Sequence, residues 1–352
     1  MSKIHFMNVL HVSPYYKLKG GIASVIFNYN SNSNEKFNYF FSMYFKSKVL
    51  NFLVFPFLMF NFLLKITNPK IAIVHLHCAK KGSFYRKYFL FKVSKIFKKK
   101  IVFHIHSGEF YSFYLSSNIL IQKMVNEVLE KSDSVIVLSS SWKNFYSDHF
   151  NCSNLNVVNN LTPFQSKRKN IIVNKQLKFL FLGELSNRKG IYDVINVIKQ
   201  NINVLNKKIK LYVAGDGDEN KINKIIKNNK LEDHITILGW IDGDKKTHLL
   251  ENIDIVILPS YAEGMPIALL EAISFSKPII ASKINGIIDI LKDNVNGKLI
   301  KPGDYDSILN AIFYYVKNRD LIPAHANESY KIANKFFPKN VFNQLTNLYN
   351  SI

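Results

Sequence analysis

Residues Ile255–Phe275 read IVILPSYAEGMPIALLEAISF. The opening run is apolar as far as Pro259, the length and composition of a buried strand, and from Pro266 apolar residues recur at helical spacing. Proline is favoured at the first helical position, where its missing N–H would be unpaired anyway. The order strand, loop, helix therefore leaves the free amides of Ile267 and Ala268 at a helix start, ready for an anion. Glu263 stands in the loop and Glu271 five residues into the helix. This pair is expected to present two carboxylates to one side. Carboxylates beside an anion site suit sugar hydroxyls and are poor partners for phosphate oxygens. A plainer reading, one glutamate at a helix dipole and one on the surface, stays open on spacing alone.

The same alternation runs outward in both directions. Before it, Lys178–Gly183, Lys210–Ala214 and Ile235–Leu238 read as strands, and after it Pro278–Ala281 does. Ile191–Asn201, Asn220–Asn229, Lys245–Asn252 and Pro266–Phe275 read as helices between them. In the first half, Lys3–Val12, Ile71–His77, Ile101–His106, Ser134–Ser139 and Leu155–Asn159 read as strands, with helices over Gly21–Asn30, Arg86–Phe97 and Ile119–Lys131. Strand–helix alternation predicts an α/β fold with parallel sheets covered by helices on both faces. Two such halves predict two Rossmann-like domains, their sheets facing a central cleft outside the carboxyl ends of the strands. The first is expected over residues 1–165 and the second over 177–331. Pro163–Gln176, polar and basic, is expected to link them, and 332–352 reads as a helix broken near Pro338.

Composition excludes several classes. Forty-seven per cent of the 352 residues are hydrophobic, which excludes a disordered or collagenous chain. Two cysteines, Cys78 and Cys152, make neither a disulfide framework nor a four-ligand zinc site, so a reducing, cytosolic compartment is expected. His5, Asn8 and His11 interrupt any secretory apolar core near the start. Leu50–Leu64 reads LNFLVFPFLMFNFLL; about 20 apolar residues are needed to span a bilayer, so a buried or membrane-contacting helix is expected instead.

The net charge is +22, and residues 1–165 hold 20 Lys and Arg against 6 Asp and Glu. Lys80, Lys81, Arg86, Lys87, Lys92, Lys95, Lys98, Lys99 and Lys100 alternate with Phe84, Tyr85, Tyr88, Phe89, Phe91 and Phe97. Such a face suits an anionic membrane surface, at about 1 kcal/mol per basic residue, or simply solvent. Only four of the basic residues are Arg, the residue that phosphate and base readout favours, so nucleic acid ranks last and is not expected as a partner, a basic nucleic-acid-binding protein standing only as a rival reading.

Other signals are weaker. Arg188 and Lys189 follow the strand that ends at Gly183 and suit a diphosphate, Arg offering a planar fork. Gly20-Gly21 opens a helix after the first strand, where glycine lets backbone approach a ligand. Gly215-Asp216-Gly217 reads as a turn. His75-Leu76-His77 and His104-Ile105-His106 each place two imidazoles on one strand face. That spacing suits a metal-dependent hydrolase, yet no further Asp, Glu or His completes an obvious ligand set. Core histidines, or His106 reaching a polar substrate, are the alternatives.

Together these pieces resemble the family-4 retaining glycosyltransferases of the GT-B fold. The matches run in the family's order over nearly the whole chain: Gly20-Gly21, the histidine of HIHSGEF, NRKG, AGDG, and EGMPIALLE with its two glutamates. The resemblance implies sugar transfer from a nucleotide diphosphate sugar, UDP favoured over GDP, to a hydroxyl of a glycan or lipid-linked oligosaccharide, with anomeric retention. It implies an acceptor-binding first domain, a nucleotide-sugar-binding second domain and a C-terminal helix crossing back to the first.

Carried over by position, Arg188 and Lys189 neutralise the donor diphosphate, Glu271 accepts from the ribose, and Glu263 holds sugar hydroxyls. His106 contacts the sugar near the reacting carbon. Gly21, Gly183 and the amides of Met265, Ile267 and Ala268 line the phosphates. No cofactor or metal is implied. Capsular, exopolysaccharide or lipopolysaccharide assembly at the inner face of a bacterial cell membrane is the expected setting. Asn285-Gly286-Ile287-Ile288-Asp289 departs from the family, with Asp where a glutamate is usual, and Pro266 removes one phosphate-binding amide.

Overall fold

A computed structural model describes residues 6–33, 36–45, 47–162 and 173–352. The chain divides into two compact units, Met1–Pro163 with Phe336–Ile352, and Phe164–Lys335.

In the first unit the strands are β1 (Val9–Pro14), β2 (Asn38–Met43), β3 (Ile73–Cys78), β4 (Lys100–Ile105), β5 (Ser134–Val137) and β6 (Leu155–Val157). Between them lie α1 (Gly21–Asn32), α2 (Lys48–Ile66), α3 (Gly82–Ile96), α4 (Phe110–Leu115), α5 (Ile119–Lys131) and α6 (Ser140–His149). All six strands run parallel in the order β2-β1-β3-β4-β5-β6. β3 and β5 are buried along their whole length, as expected where helices cover both faces. Side chains stop the helices from fraying: Asn118 accepts from the Ile121 amide at the start of α5, and Ser139 from Trp142 at the start of α6.

The second unit holds β7 (Leu177–Leu182), β8 (Ile209–Ala214), β9 (Ile235–Gly239), β10 (Ile255–Leu258), β11 (Ile279–Ser282) and β12 (Gly297–Ile300). Its helices are α7 (Ile191–Gln200), α8 (Ile202–Leu205), α9 (Glu219–Asn228), α10 (Gly243–Asn252), α11 (Ile267–Ser274), α12 (Tyr305–Lys317) and α13 (Leu321–Ala333). The sheet is again parallel, in the order β12-β11-β10-β7-β8-β9. The chain begins in the middle, winds one way through β8 and β9, then crosses to β10 and winds the other way. β7 and β10 therefore flank the topological switch point, where open α/β sheets hold their ligands. Finally α14 (Pro338–Ser351) rejoins the first unit, its Tyr349 fully buried there.

The two parallel six-stranded sheets are the α/β class expected from the alternation. Two strands were not expected. β2 is an edge strand whose Phe40 and Ser42 point inward, with half-buried residues between them, too short an alternation to stand out. β12 begins at Gly297, where a Cβ would lie 1.8 Å from the Ile279 carbonyl oxygen; only glycine lets it pair with β11.

The apolar run around Leu50–Leu64 folds as a helix, as expected, and of the two readings given for it the buried one does not hold. It extends to a 19-residue helix, α2, in which Val49–Ile66 is long and apolar enough to cross a membrane by length and composition, and only 11% of that stretch is buried. The helix is held at two places. Asn51 accepts from the amides of Tyr44 and Phe45 and donates to the carbonyls of Phe45 and Ser47. Phe62 and Ile66 are fully buried, Phe62 against Phe40 of β2 with ring centroids 5.0 Å apart. The predicted linker lies largely outside the described residues. What is described is tied down: Asn174 donates to Asp254, and Arg319 to the carbonyls of Asn174 and Lys175.

Candidate active site

The loop after β7 tightens into a 3-10 turn, Asn187–Lys189, closed by Gly190 at φ 74°. A Cβ on Gly190 would lie 2.2 Å from the Pro259 carbonyl oxygen at the end of β10, so glycine is required for the two loops to touch. They are then laced together. The Tyr261 amide donates to the Arg188 carbonyl at 2.9 Å, and the Arg188 guanidinium donates to the Ala262 carbonyl at 3.1 Å and to Glu184 at 2.7 Å. Lys189 Nζ donates to Glu263 Oε1 at 2.6 Å, and the Ser260 hydroxyl donates to the same oxygen at 2.7 Å. Glu263 is buried, so its charge is held by one ion pair and one hydroxyl in a poorly solvated place.

The loops after β7 and β8 are also joined. Leu185 N–H donates to the Asp216 carbonyl and its own carbonyl accepts from Asp218. Gly215 is needed here, since its Cβ would fall 1.7 Å from the Gly183 oxygen. The Gly183 amide donates to the Ala214 carbonyl, which closes the strand end.

α11 starts one residue later than expected. Pro266 has φ −72° and ψ 118°, an extended cap, and Ile267 is the first helical residue. The Pro266 carbonyl accepts from Leu269 and Leu270, which leaves the amides of Ile267 and Ala268 ahead of the intrahelical ladder. Met265 is buried at the turn. Glu271 is buried and accepts from Lys246 Nζ of α10 at 2.7 Å; burial raises its carboxyl above the usual range, against the pull of Lys246. The two carboxylates expected to act as a pair thus each take their own lysine. Lys246 and Ser260 were missed, because nothing local in GDKKTHLL or LPSYAE marks a buried partner. Residues 284–291 fold into turns, with Ile287 and Ile288 amides on the Ile284 carbonyl and Gly286 at φ 82°, and Asp289 lies within them.

In the first unit the histidines form a ladder of rings across β1, β3 and β4. His11 Nδ1 lies 3.0 Å from His77 Nε2, His77 Nδ1 2.9 Å from His106 Nε2, and His75 Nε2 3.1 Å from His104 Nδ1. The Tyr349 hydroxyl of α14 closes the ladder 2.5 Å from His75 Nδ1. Burial keeps all five imidazoles neutral: His11 and His106 fall to about 3, and His75, His77 and His104 lie well below the ordinary range, neighbouring rings adding to the effect. His11, His75 and His77, and likewise His77, His104 and His106, hold nitrogens within 4.8 Å of one another, a spacing that suits a metal ion and is met here by ring-to-ring hydrogen bonds. His106 Nδ1 and His104 Nε2 are buried without a hydrogen-bond partner. His11 and Tyr349 carried no local signal. At the start of α1, Gly20 rather than Gly21 takes the unusual backbone, φ 147°, and a Cβ on either would meet open space.

The switch point of this parallel sheet gathers a cation pair, a buried glutamate and a helix start, groups whose chemistry suits an anionic, hydroxyl-rich ligand. Residues 164–334, essentially the second unit, match the family described as glycosyl transferases group 1, and this half of the chain is a glycosyltransferase group 1 domain. An uncharacterised 41.2 kDa protein of the cps region of Klebsiella pneumoniae is 23% identical over 98% of this chain and 100% of its own. An Escherichia coli UDP-Gal:alpha-D-GlcNAc-diphosphoundecaprenol alpha-1,3-galactosyltransferase is 37% identical over 30% of this chain and 27% of its own. Among solved structures, Anabaena HepE in complex with UDP and glucose superposes with a TM-score of 0.75, at 18% identity over 98% of this chain and 99% of that one. The fold is that of the GT-B glycosyltransferases. Two further curated relatives are spanned over less than two thirds of their length.

Proposed function

We propose that the protein transfers a sugar, with retention, from a UDP-sugar to a hydroxyl of a lipid-linked glycan during assembly of a bacterial surface polysaccharide. The observation that carries this reading is the Arg188–Lys189 turn set against Glu263 at the switch point of the second sheet. Arg188, Lys189 and the amides of Ile267 and Ala268 supply positive charge where a diphosphate leaves. Glu263 and Glu271 accept from the donor sugar and ribose, and His106, neutral with Nδ1 unpartnered, contacts the sugar.

In the reaction, the bond from the anomeric carbon to the diphosphate oxygen breaks and a bond to the acceptor oxygen forms on the same face. The acceptor's proton passes to the departing phosphate oxygen. The acceptor class is favoured by the matches to a cps-region protein and to an enzyme named for a diphosphoundecaprenol substrate. The setting, the cytoplasmic face of the cell membrane, is favoured by α2, where Phe52 and Phe57 are each 79% exposed.

Thermal unfolding of the pure chain with UDP, GDP, ADP and CMP in turn, and with EDTA, tests the donor. UDP at about 100 times its dissociation constant should stabilise by roughly 2.7 kcal/mol. No response to any nucleoside diphosphate, with a loss of stability in EDTA, would reject the donor site in favour of a metal on the histidines.

A further inference from the structure

Arg86 and Lys87 lie on α3, just after β3, and neither has an acidic partner among the described residues. Lys87 is 1% exposed, and its Nζ donates to the Ser42 hydroxyl at 2.7 Å. Ser42 in turn donates to the Ser13 carbonyl of β1. Arg86 is half-buried. One guanidinium nitrogen donates to Met43 Sδ at 3.5 Å, and its Nε is buried without a partner. The ion pairs on either side in sequence, Lys80 to Glu109 and Lys92 to Glu127, use other lysines.

A solvated face does not need this arrangement. A buried lysine beside a half-buried arginine, with no carboxylate between them, is a standing electrostatic cost, and an unmet buried N–H adds to it. Burial and the neighbouring Arg86 bring the Lys87 ammonium down to about 7. The place is also informative. Ser13, Ser42 and Cys78 sit at the carboxyl ends of β1, β2 and β3, and the first sheet reverses its winding between β1 and β3. This is the edge at which such sheets hold ligands. Arg supplies a fork and Lys a point charge, the combination that grips phosphate oxygens.

We propose that Arg86 and Lys87 form an anion site that takes the phosphate or diphosphate of the acceptor. The proposal rests on the lipid-linked acceptor assigned above; of the donor residues named there, Arg188, Lys189, Glu263 and Glu271 lie in the other unit, and His106, on which Lys87 acts electrostatically, lies in this one.

The test uses the full chain at low salt, with farnesyl diphosphate, inorganic pyrophosphate and UDP as separate probes, on wild type, Arg86→Gln and Lys87→Met. Methionine fills the buried lysine's place with an apolar chain, so that variant should fold at least as stably as wild type, and circular dichroism checks both. Farnesyl diphosphate should bind wild type, and each variant about tenfold or more weakly, the loss of one charge-assisted contact. UDP should bind all three alike, whereas absence of UDP binding to wild type would strike the donor reading and not this one. Equal binding of farnesyl diphosphate to all three proteins overturns the site. A parallel loss of UDP assigns the cations to the donor and overturns it too. Pyrophosphate binding as tightly as farnesyl diphosphate makes it a site for a free anion, and overturns its assignment to the acceptor.

Discussion

Lys189 Nζ donates to Glu263 Oε1 at 2.6 Å, although the two residues stand 74 positions apart in the chain. The contact joins the loops after β7 and β10 and sets the carboxylate of the second loop against one of the two cations of the first. A ligand that brings a diphosphate to Lys189 and hydroxyls to Glu263 would replace one ion pair by two charge-assisted interactions.

Glu263→Gln should separate these roles. Losing the charge leaves Lys189 nearly buried beside an amide, at a cost of about 2–3 kcal/mol in stability. UDP affinity should stay within about threefold, while transfer falls about a hundredfold, the size of effect seen when one preorganised polar contact to a transition state is lost. Calorimetric UDP binding and turnover measured together decide it. A variant that loses UDP affinity and keeps its turnover at saturating donor would mean that Glu263 serves to position Lys189 for the diphosphate and does not hold the sugar.

Gly190 and Gly21 should respond differently to alanine. At Gly190 a methyl group meets backbone, 2.2 Å from the Pro259 oxygen, and φ is 74°, so Gly190→Ala should cost about 3 kcal/mol or more and abolish nucleotide protection. At Gly21 the methyl group meets open space, and alanine is the better helix former, so stability should hold or rise by up to about 1 kcal/mol. Denaturant midpoints compare them. Loss of activity in a stable Gly21→Ala protein would mean that a ligand approaches this backbone.

The double variant Phe52→Ser, Phe57→Ser removes two largely exposed rings from α2. Unfolding free energy should change by less than about 0.5 kcal/mol, because neither ring is in a core. Flotation with phosphatidylglycerol vesicles should fall about tenfold or more, since each inserted ring carries on the order of 1–2 kcal/mol of apolar burial. A variant that floats as well as wild type would remove α2 from the membrane.

The histidine ladder makes the first unit acid-sensitive. Each folded pKa is depressed, so the unfolded chain binds more protons below the ordinary value of 6.5. The stability is present above that pH and is lost as pH falls from 6.5 towards about 3. Each histidine adds a slope of up to about 1.4 kcal/mol per pH unit. Urea midpoints at pH 7.5 and 5.5 should therefore differ, and His106→Asn should lower the slope by about one proton. An unchanged midpoint would mean that these rings are charged in the folded protein.

Much of this was legible in the chain itself. The strand–loop–helix unit at Ile255–Phe275, the α/β class and the Arg188-Lys189 turn are local, because apolar periodicity, proline at a helix start and free first-turn amides are properties of a few consecutive residues. The order of the strands was not local, and with it went the partners. Lys246 meets Glu271 and Tyr349 meets His75 because the sheet and the returning helix bring distant positions together. The run around Leu50–Leu64 shows the same division: its apolarity was plain in the sequence, but whether it sits in a core or outside depends on how much of the first unit's surface other helices already cover. Composition sets what must leave water; only the assembled sheets decide where each charge finds its counterpart and which apolar face is left without one.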